Sequence, residues 1–113
     1  MRKALKVNTD LTTEVIDLDA EDKSSLKVLQ EAVGGLIQPI GVGSVEIVIN
    51  EEGKIFDLPL NDYGTRLLRK AYSTDDYIVG DIVVTAGVDD EGDWVGLTEE
   101  QITQFAYLAE LAR

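Results

Sequence analysis

The chain has 113 residues, 44% of them hydrophobic and 28% charged, which predicts one globular domain over residues 1–113 because two smaller cores would each be marginal. It contains no cysteine and no histidine, which excludes disulfides, thiolate and imidazole metal ligands and the commonest general base, so we expect no cofactor and no enzymatic activity. A net charge of −12 disfavours nucleic acid and anionic lipid as direct partners and favours a basic protein surface.

The chain begins with Met1-Arg2-Lys3-Ala4-Leu5-Lys6, in which Lys6 interrupts the sequence before the apolar core of a signal peptide forms. No apolar run elsewhere approaches the ~20 residues that span a bilayer. We therefore expect a cytoplasmic protein without membrane contact.

Residues 4–18 contain two apolar stretches around a turn and predict an antiparallel hairpin. Ser24 or Ser25 then caps a helix in which apolar residues recur at spacings of three and four: Leu26, Leu29, Ala32 and Val33. The pair Gly34-Gly35 ends this helix, since glycine adopts the left-handed conformation readily.

Extended structure is predicted next. Pro39 places residues 36–40 at a sheet edge or a bulge, because proline cannot donate to a strand ladder. Residues 45–50 are the most strand-like segment of the chain, and we interpret them as the central strand. Glu51-Glu52-Gly53 predicts a tight turn that returns residues 54–58 as the hairpin partner.

A second helix is predicted from a cap at Asn61 or Asp62 to about Ala71, and residues 77–86 indicate a strand with a bulge at Gly80. Hairpins are thus separated by helices without regular strand–helix–strand alternation. This pattern predicts an α+β fold, with a mostly antiparallel sheet built from hairpins and about three helices packed mainly on one face.

The last helix opens with a predicted capping box, Thr98 followed by Gln101. Its core stripe is Ile102, Phe105, Ala106 and Ala109. The helix also carries Tyr107, Leu108 and Leu111, more apolar surface than one buried face requires. Two interpretations stay open: a homodimer forms through this helix, or the helix covers a sheet edge.

Residues 71–112 contain no Lys or Arg but many acids. We predict that a basic protein partner binds at eight of these acids: Asp75, Asp76, Asp89, Asp90, Glu91, Asp93, Glu99 and Glu100. The alternative is a solvated face whose acids suit the dipole of the last helix. The oxygens of residues 89–93 are of the kind that Ca²⁺ prefers, but their spacing is not that of a calcium loop, so no metal site is predicted.

The densest basic patch lies on the second helix and comprises Arg66, Arg69 and Lys70. Together with Asn50 and Lys54 it suggests an alternative function, a module that binds a nucleotide, a phosphate or another small ligand, because arginine fits phosphate with two parallel hydrogen bonds. Otherwise these cations are exposed and pair with some of the surplus acids.

Four stretches occur together in a recognisable order: Val33-Gly34-Gly35-Leu36, Asn50-Glu51-Glu52-Gly53-Lys54, Leu58-Pro59-Leu60-Asn61 and Ile78-Val79-Gly80-Asp81-Ile82-Val83-Val84. Over residues 26–86 their order and spacing resemble a family of small, uncharacterised domains of unknown function from phage, plasmid and bacterial open reading frames. The resemblance implies an accessory protein of a mobile element and no particular chemistry.

Overall fold

The structure, a computed structural model, describes residues 2–113. Its elements in chain order are β1 (Lys3–Val7), β2 (Thr13–Asp17), α1 (Ser25–Val33), β3 (Ile37–Gly41), β4 (Glu46–Asn50), α2 (Asp62–Ala71), β5 (Ile82–Thr85) and α3 (Glu99–Ala112). The strands form one sheet in the order β2-β1-β5-β4-β3, and every neighbouring pair is antiparallel. The predicted α+β fold is therefore confirmed.

The centre of the sheet is β5, which lies between the β1–β2 and β3–β4 hairpins. All four of its residues are buried. The interpretation of residues 45–50 as the central strand is wrong, because β4 is the neighbour of the edge strand β3. A short apolar run, as in Ile82-Val83-Val84, is the pattern of a strand that is covered on both faces.

Helices cover both faces of the sheet because successive strand residues point to opposite sides. Leu5, Ile47 and Val84 belong to the core beneath α2 and α3, while Val48 and Val83 belong to the core beneath α1. The expected packing on one face thus holds for α2 and α3, and α1 lies on the other face. No helix within residues 2–113 is both long and apolar enough to cross a bilayer.

The predicted helix starts are confirmed by capping side chains that each accept a backbone N–H: Ser24, Asn61 and Thr98. The predicted stop is confirmed as well, since Gly34 ends α1 with φ at +81°. Leu26 is exposed although its spacing placed it in the buried stripe. The reason is that α1 turns Val28 toward the sheet instead.

Residues 54–58 do not form the predicted strand. Residues 51–57 are a series of turns, and the Leu58 N–H donates to the Gly53 carbonyl oxygen (3.0 Å). No edge of β4 is open to them, because β3 and β5 already occupy both of its sides. The predicted strand over residues 77–86 is likewise shortened to β5, since Gly80, with φ at +81°, interrupts it.

Candidate functional site

The two ends of the sheet differ in charge. Asp17 pairs with Lys3, and the Leu97 N–H donates to the Lys3 carbonyl oxygen (2.7 Å), so the end of β2 and the start of α3 both lie where β1 begins. We call this the acidic end after its exposed carboxylates: Asp17, Asp19, Asp89, Asp90, Glu91, Asp93, Glu99 and Glu100. The opposite end, where β4 stops at Asn50, is the cleft end.

Arg2 connects the segments of the acidic end. Its guanidinium donates to the Asp19 carboxylate (2.9 Å from Nε and 2.6 Å from Nη2) and to the Trp94 carbonyl oxygen (3.0 Å). The hydrogen bond with Asp19 raises the pKa of Arg2 and lowers the pKa of Asp19. The negative charges of Asp93 and Asp17 also raise the pKa of Arg2.

Residues 88–94 form an acidic hairpin closed by a bridge between Val88 and Trp94. The Asp89 carboxylate stabilises the turn by accepting the N–H groups of Glu91 (2.9 Å) and Asp93 (3.0 Å). No group of three acidic side chains among the described residues is arranged to hold a metal ion. The carboxylate of Asp89 therefore serves the fold, while those of its neighbours face solvent.

The six predicted interaction residues at the acidic end form no direct ion pair with a cation of the described chain. Of the ion pairs that the structure gives for residues 2–113, none involves residues 89–93 or Glu99 and Glu100. Glu99 and Glu100 lie in the first turn of α3, where the helix dipole favours negative charge. These carboxylates are exposed to solvent and open to a cation from outside the chain.

Gly96 fixes the position of this end and was missed by the sequence analysis. A Cβ atom at Gly96 would lie 2.7 Å from the Lys3 nitrogen and 2.9 Å from the Arg2 Cα, both of them backbone atoms. Only glycine lets the segment between the acidic hairpin and α3 pass so close to β1. An isolated glycine in a loop carries no sequence signal for such an approach.

Asp75 and Asp76, the other two predicted interaction residues, lie at the cleft end. Asp76 pairs with Lys54, and the Arg69 guanidinium donates to the carbonyl oxygens of Asp75 and Asp76 (3.0 Å each). The hydrogen bond from Lys54 lowers the pKa of Asp76. The structure therefore separates these two acids from the other six and surrounds them with cations.

A cleft of about 160 Å³ lies beside this ion pair, and Asn50 and Lys54 are among its lining residues. The Asn50 amide donates to the Val33 carbonyl oxygen (3.1 Å) and accepts the Glu52 N–H (2.9 Å). The Lys54 ammonium also lies 4.3 Å from the centre of the Tyr77 ring. The side chains of Asn50, Lys54 and Asp76 in the cleft are thus engaged by the protein itself.

The predicted basic patch is divided between different surfaces. Arg69 is held at the rim of the cleft by the Asp76 carbonyl oxygen. Lys70 lines a separate groove between α2 and α3, and Arg66 is exposed on α2. The five residues of the alternative ligand site are therefore not brought together in one pocket.

Asn61 is more than the helix cap that its position predicts. Its side-chain amide donates to the carbonyl oxygens of Val7 (3.1 Å) and Gly80 (2.9 Å), and its side-chain oxygen accepts the Gly64 N–H (2.9 Å). The residue is fully buried. It joins β1, α2 and the segment before β5 at the cleft end, which no local pattern indicates.

Comparison with known sequences gives a family but no activity. Residues 1–110 match the family described as a domain of unknown function, DUF3846. The chain belongs to this family. The predicted resemblance to a small family of unknown function is confirmed, and the match extends beyond residues 26–86 to nearly the whole chain. Neither a curated protein nor a solved structure matches the chain.

Most of α3 lies within the DUF3846 match, including Tyr107 and Leu108 of the apolar residues beyond its core stripe; Leu111 follows the last matched residue. Tyr107, Leu108 and Leu111 are all exposed, and Leu108 borders the groove between α2 and α3. Ala109 faces the core, and Tyr107 and Leu111, each two positions away from it along the helix, lie on the opposite side of α3. A homodimer through this surface stays a prediction.

Proposed function

We propose that this DUF3846 protein is a non-enzymatic, cytoplasmic interaction protein, an accessory protein of a phage or another mobile element, whose acidic end binds a basic protein surface. The observation that carries the proposal is the set of six carboxylates at the acidic end that have no cationic partner among residues 2–113. The resemblance to open reading frames of phages and plasmids supports the accessory role.

The electrostatics favour a partner at this end. The chain carries a net charge of −12, and the acidic hairpin and the start of α3 concentrate negative charge beside one another. Exposed charges of one sign repel each other and attract a basic surface over about a Debye length. A cation that binds here displaces no internal ion pair of these six residues, so its attraction is not offset by a lost contact.

The cleft end supports ligand binding less well. Its cavity of about 160 Å³ is smaller than the roughly 300 Å³ at which small-molecule sites begin. A phosphate would have to compete with Asp76 for Lys54 and with two carbonyl oxygens for Arg69. The geometry therefore favours the acidic end over the alternative ligand site.

The experiment compares two variants that lose the same charge at opposite ends. The acidic-end variant is Asp89→Asn, Asp90→Asn, Glu91→Gln and Asp93→Asn, in which the amide oxygen introduced at position 89 can still accept the turn N–H groups. The control variant is Glu51→Gln, Asp57→Asn, Asp62→Asn and Asp75→Asn, all at exposed positions that belong to no described ion pair.

The measurement is the fluorescence anisotropy of labelled hexalysine at low and at physiological ionic strength. We expect the acidic-end variant to bind at least about tenfold more weakly than the control variant, and the difference to shrink with added salt. Equal losses in the two variants would mean that hexalysine responds only to net charge, and the proposal would then be abandoned.

A further inference from the structure

The two edges of the sheet are protected to different degrees. On the edge strand β3, Pro39 offers no N–H group, and the Gly41 carbonyl oxygen accepts the Tyr72 hydroxyl group (2.7 Å). Proline and a covering side chain are common ways to prevent another strand from pairing with an edge. The edge strand β2 has the sequence Thr-Glu-Val-Ile-Asp, with no proline and no lysine.

The free backbone groups of β2 follow from its pairing with β1. The Leu18 N–H donates to the Arg2 carbonyl oxygen (2.9 Å), and the Asn8 N–H donates to the Thr12 carbonyl oxygen (2.9 Å), so both of these pairs are hydrogen-bonded. Hydrogen-bonded pairs alternate along an antiparallel ladder. Between them, the residues whose N–H and C=O groups point away from β1 are therefore Thr13, Val15 and Asp17.

No described group occupies this edge. None of the hydrogen bonds within residues 2–113 outside the strand ladder involves a backbone N–H or C=O of Thr13, Val15 or Asp17. Val15 is 53% exposed. A groove of about 300 Å³ runs beside it toward α3, and its lining residues are Lys3, Val15, Glu99, Ile102 and Thr103. The edge therefore has both unpaired backbone groups and room for added side chains.

We infer that β2 accepts an extended, basic segment of the partner protein as an additional antiparallel strand. This inference rests on the proposed function, which supplies the charge of the partner. In strand addition the main chain contributes the hydrogen bonds and alternate side chains select the sequence. Val15 lies on the same side of the sheet as Leu5, and with Ile102 it favours apolar side chains on the groove side. On the other side, Glu14 lies 3.8 Å from the Lys6 ammonium but its side chain is still 59% exposed, so it favours cations there.

Charge complementarity also selects this occupant over a second copy of the chain. Glu14 lies on the side of β2 opposite the groove, whereas Asp17 and Glu99 lie on the groove side, where Lys3 is the single cation among the lining residues. Pairing of two β2 strands would bring together two chains of net charge −12. Like charges across a strand pair are destabilising, whereas opposite charges stabilise it.

The test uses the heptapeptide Lys-Val-Lys-Val-Lys-Val-Lys with the full chain, and NMR-detected hydrogen exchange of the backbone amides. We expect the peptide to slow exchange at Thr13, Val15 and Asp17 at least about tenfold, since these N–H groups gain partners. The Ile37 amide, on the edge that carries Pro39, is the internal control and keeps its rate.

Two methylated peptides separate strand addition from electrostatic attraction. A residue paired with Val15 places its side chain on the same side as Val15 and its N–H toward β2. N-methylation of the valines therefore removes the hydrogen bonds to β2 and weakens binding at least about tenfold, whereas N-methylation of the lysines leaves it unchanged. Both peptides carry the same charge.

A protein variant provides the reciprocal test. Val15→Pro copies onto β2 the feature that Pro39 gives to β3, and it removes an N–H that makes no bond to β1. This variant should bind the unmodified heptapeptide about tenfold more weakly, while hexalysine still binds at the acidic end. Circular dichroism verifies that the variant is folded, and the methylated peptides decide the matter without it.

Several outcomes would overturn the inference. If the heptapeptide binds but the three amides keep their exchange rates, or if the two methylated peptides bind equally well, strand addition is wrong and the acidic docking surface stands. If the amides of β2 are protected without peptide as protein concentration rises, the occupant is a second copy. If neither hexalysine nor the heptapeptide binds, the proposed function fails as well.

Discussion

The acidic end and the cleft end of the sheet both carry charged side chains, but they use them differently. At the cleft end Lys54 pairs with Asp76, Arg69 binds two carbonyl oxygens and the amide of Asn50 joins α1 to the turn after β4. At the acidic end the Arg2–Asp19 pair is surrounded by carboxylates that no cation contacts within the described chain. The charged side chains of the cleft end are thus mostly engaged within the fold, whereas most carboxylates of the acidic end form no ion pair within it.

The largest effect that we expect comes from the buried polar network of the cleft end. Asn61→Ala removes three hydrogen bonds and leaves buried carbonyl oxygens of Val7 and Gly80 without this donor. The free energy of unfolding should fall by about 3 kcal/mol. Urea denaturation measures it, with Asp62→Asn as the exposed neighbouring control that changes stability by less than about 0.5 kcal/mol. If both variants lower the free energy of unfolding by equally small amounts, Asn61 acts only as a helix cap.

The second prediction concerns the backbone of the acidic end. Gly96→Ala places a methyl group against the backbone of Arg2 and Lys3, so unfolding should require about 1–3 kcal/mol less. Gly41→Ala is the matched control, because a Cβ atom there has nothing within 4 Å. A Gly96 variant as stable as the Gly41 variant would contradict the close approach.

The third prediction uses pH to distinguish paired from unpaired acids. The pKa of Asp76 is lowered by Lys54, so on acidification the unfolded chain takes up this proton first, and the stability that the pair contributes is lost as pH falls through the folded-state pKa. In the Asp76→Asn variant, the free energy of unfolding should therefore decrease less steeply as pH falls below about 4. Urea unfolding at a series of pH values measures the slope.

Asp75→Asn is the control for that experiment, because the Asp75 side chain belongs to no ion pair among residues 2–113. The free energy of unfolding of Asp75→Asn should fall more steeply on acidification than that of Asp76→Asn, because the Lys54–Asp76 pair is intact in it. At the acidic end, the hydrogen bond from Arg2 lowers the pKa of Asp19. Asp19→Asn should therefore also make the free energy of unfolding fall less steeply on acidification. Equal slopes for Asp76→Asn and Asp75→Asn would contradict the assignment of Asp76 to the fold.

The smallest expected effect on stability belongs to the acidic hairpin. Neutralising residues 89, 90, 91 and 93 removes no ion pair and relieves repulsion between like charges, so thermal unfolding should occur at the same temperature or slightly higher. The four-residue control variant of the cleft end should behave alike. A clear loss of stability in the hairpin variant would mean that the charges of these acids, and not only the acceptor oxygen at position 89, stabilise the fold.

Local signals in the sequence were sufficient for much of the fold. The N-caps Ser24 and Asn61 and the box of Thr98 with Gln101 depend on side chains that bond within a few residues, so their patterns survive in the folded chain. The β1–β2 hairpin and the edge position of Pro39 follow from equally local rules. Strand order depends on contacts between distant segments, so the sequence pattern alone predicts β4 as the central strand, although that position belongs to β5.

The sequence also indicates part of the division of the acids between the two ends of the sheet. A strand was predicted between Asp76 and Asp89, and a strand advances about 3.3 Å per residue, so acids that precede it and acids that follow it lie apart. What no pattern indicates is the set of long-range contacts: Arg2 with Asp19 and Trp94, or the passage of Gly96 over β1. These contacts join segments that are distant in sequence.

The most direct test of the central claim, that the acidic end and not the cleft end binds basic surfaces, is a backbone amide NMR titration of the intact chain with hexalysine. We predict that the largest shifts occur in residues 89–93 and at Asp17, Asp19, Glu99 and Glu100. Shifts centred on Lys54 and Asp76, or spread evenly over the surface, would contradict the account.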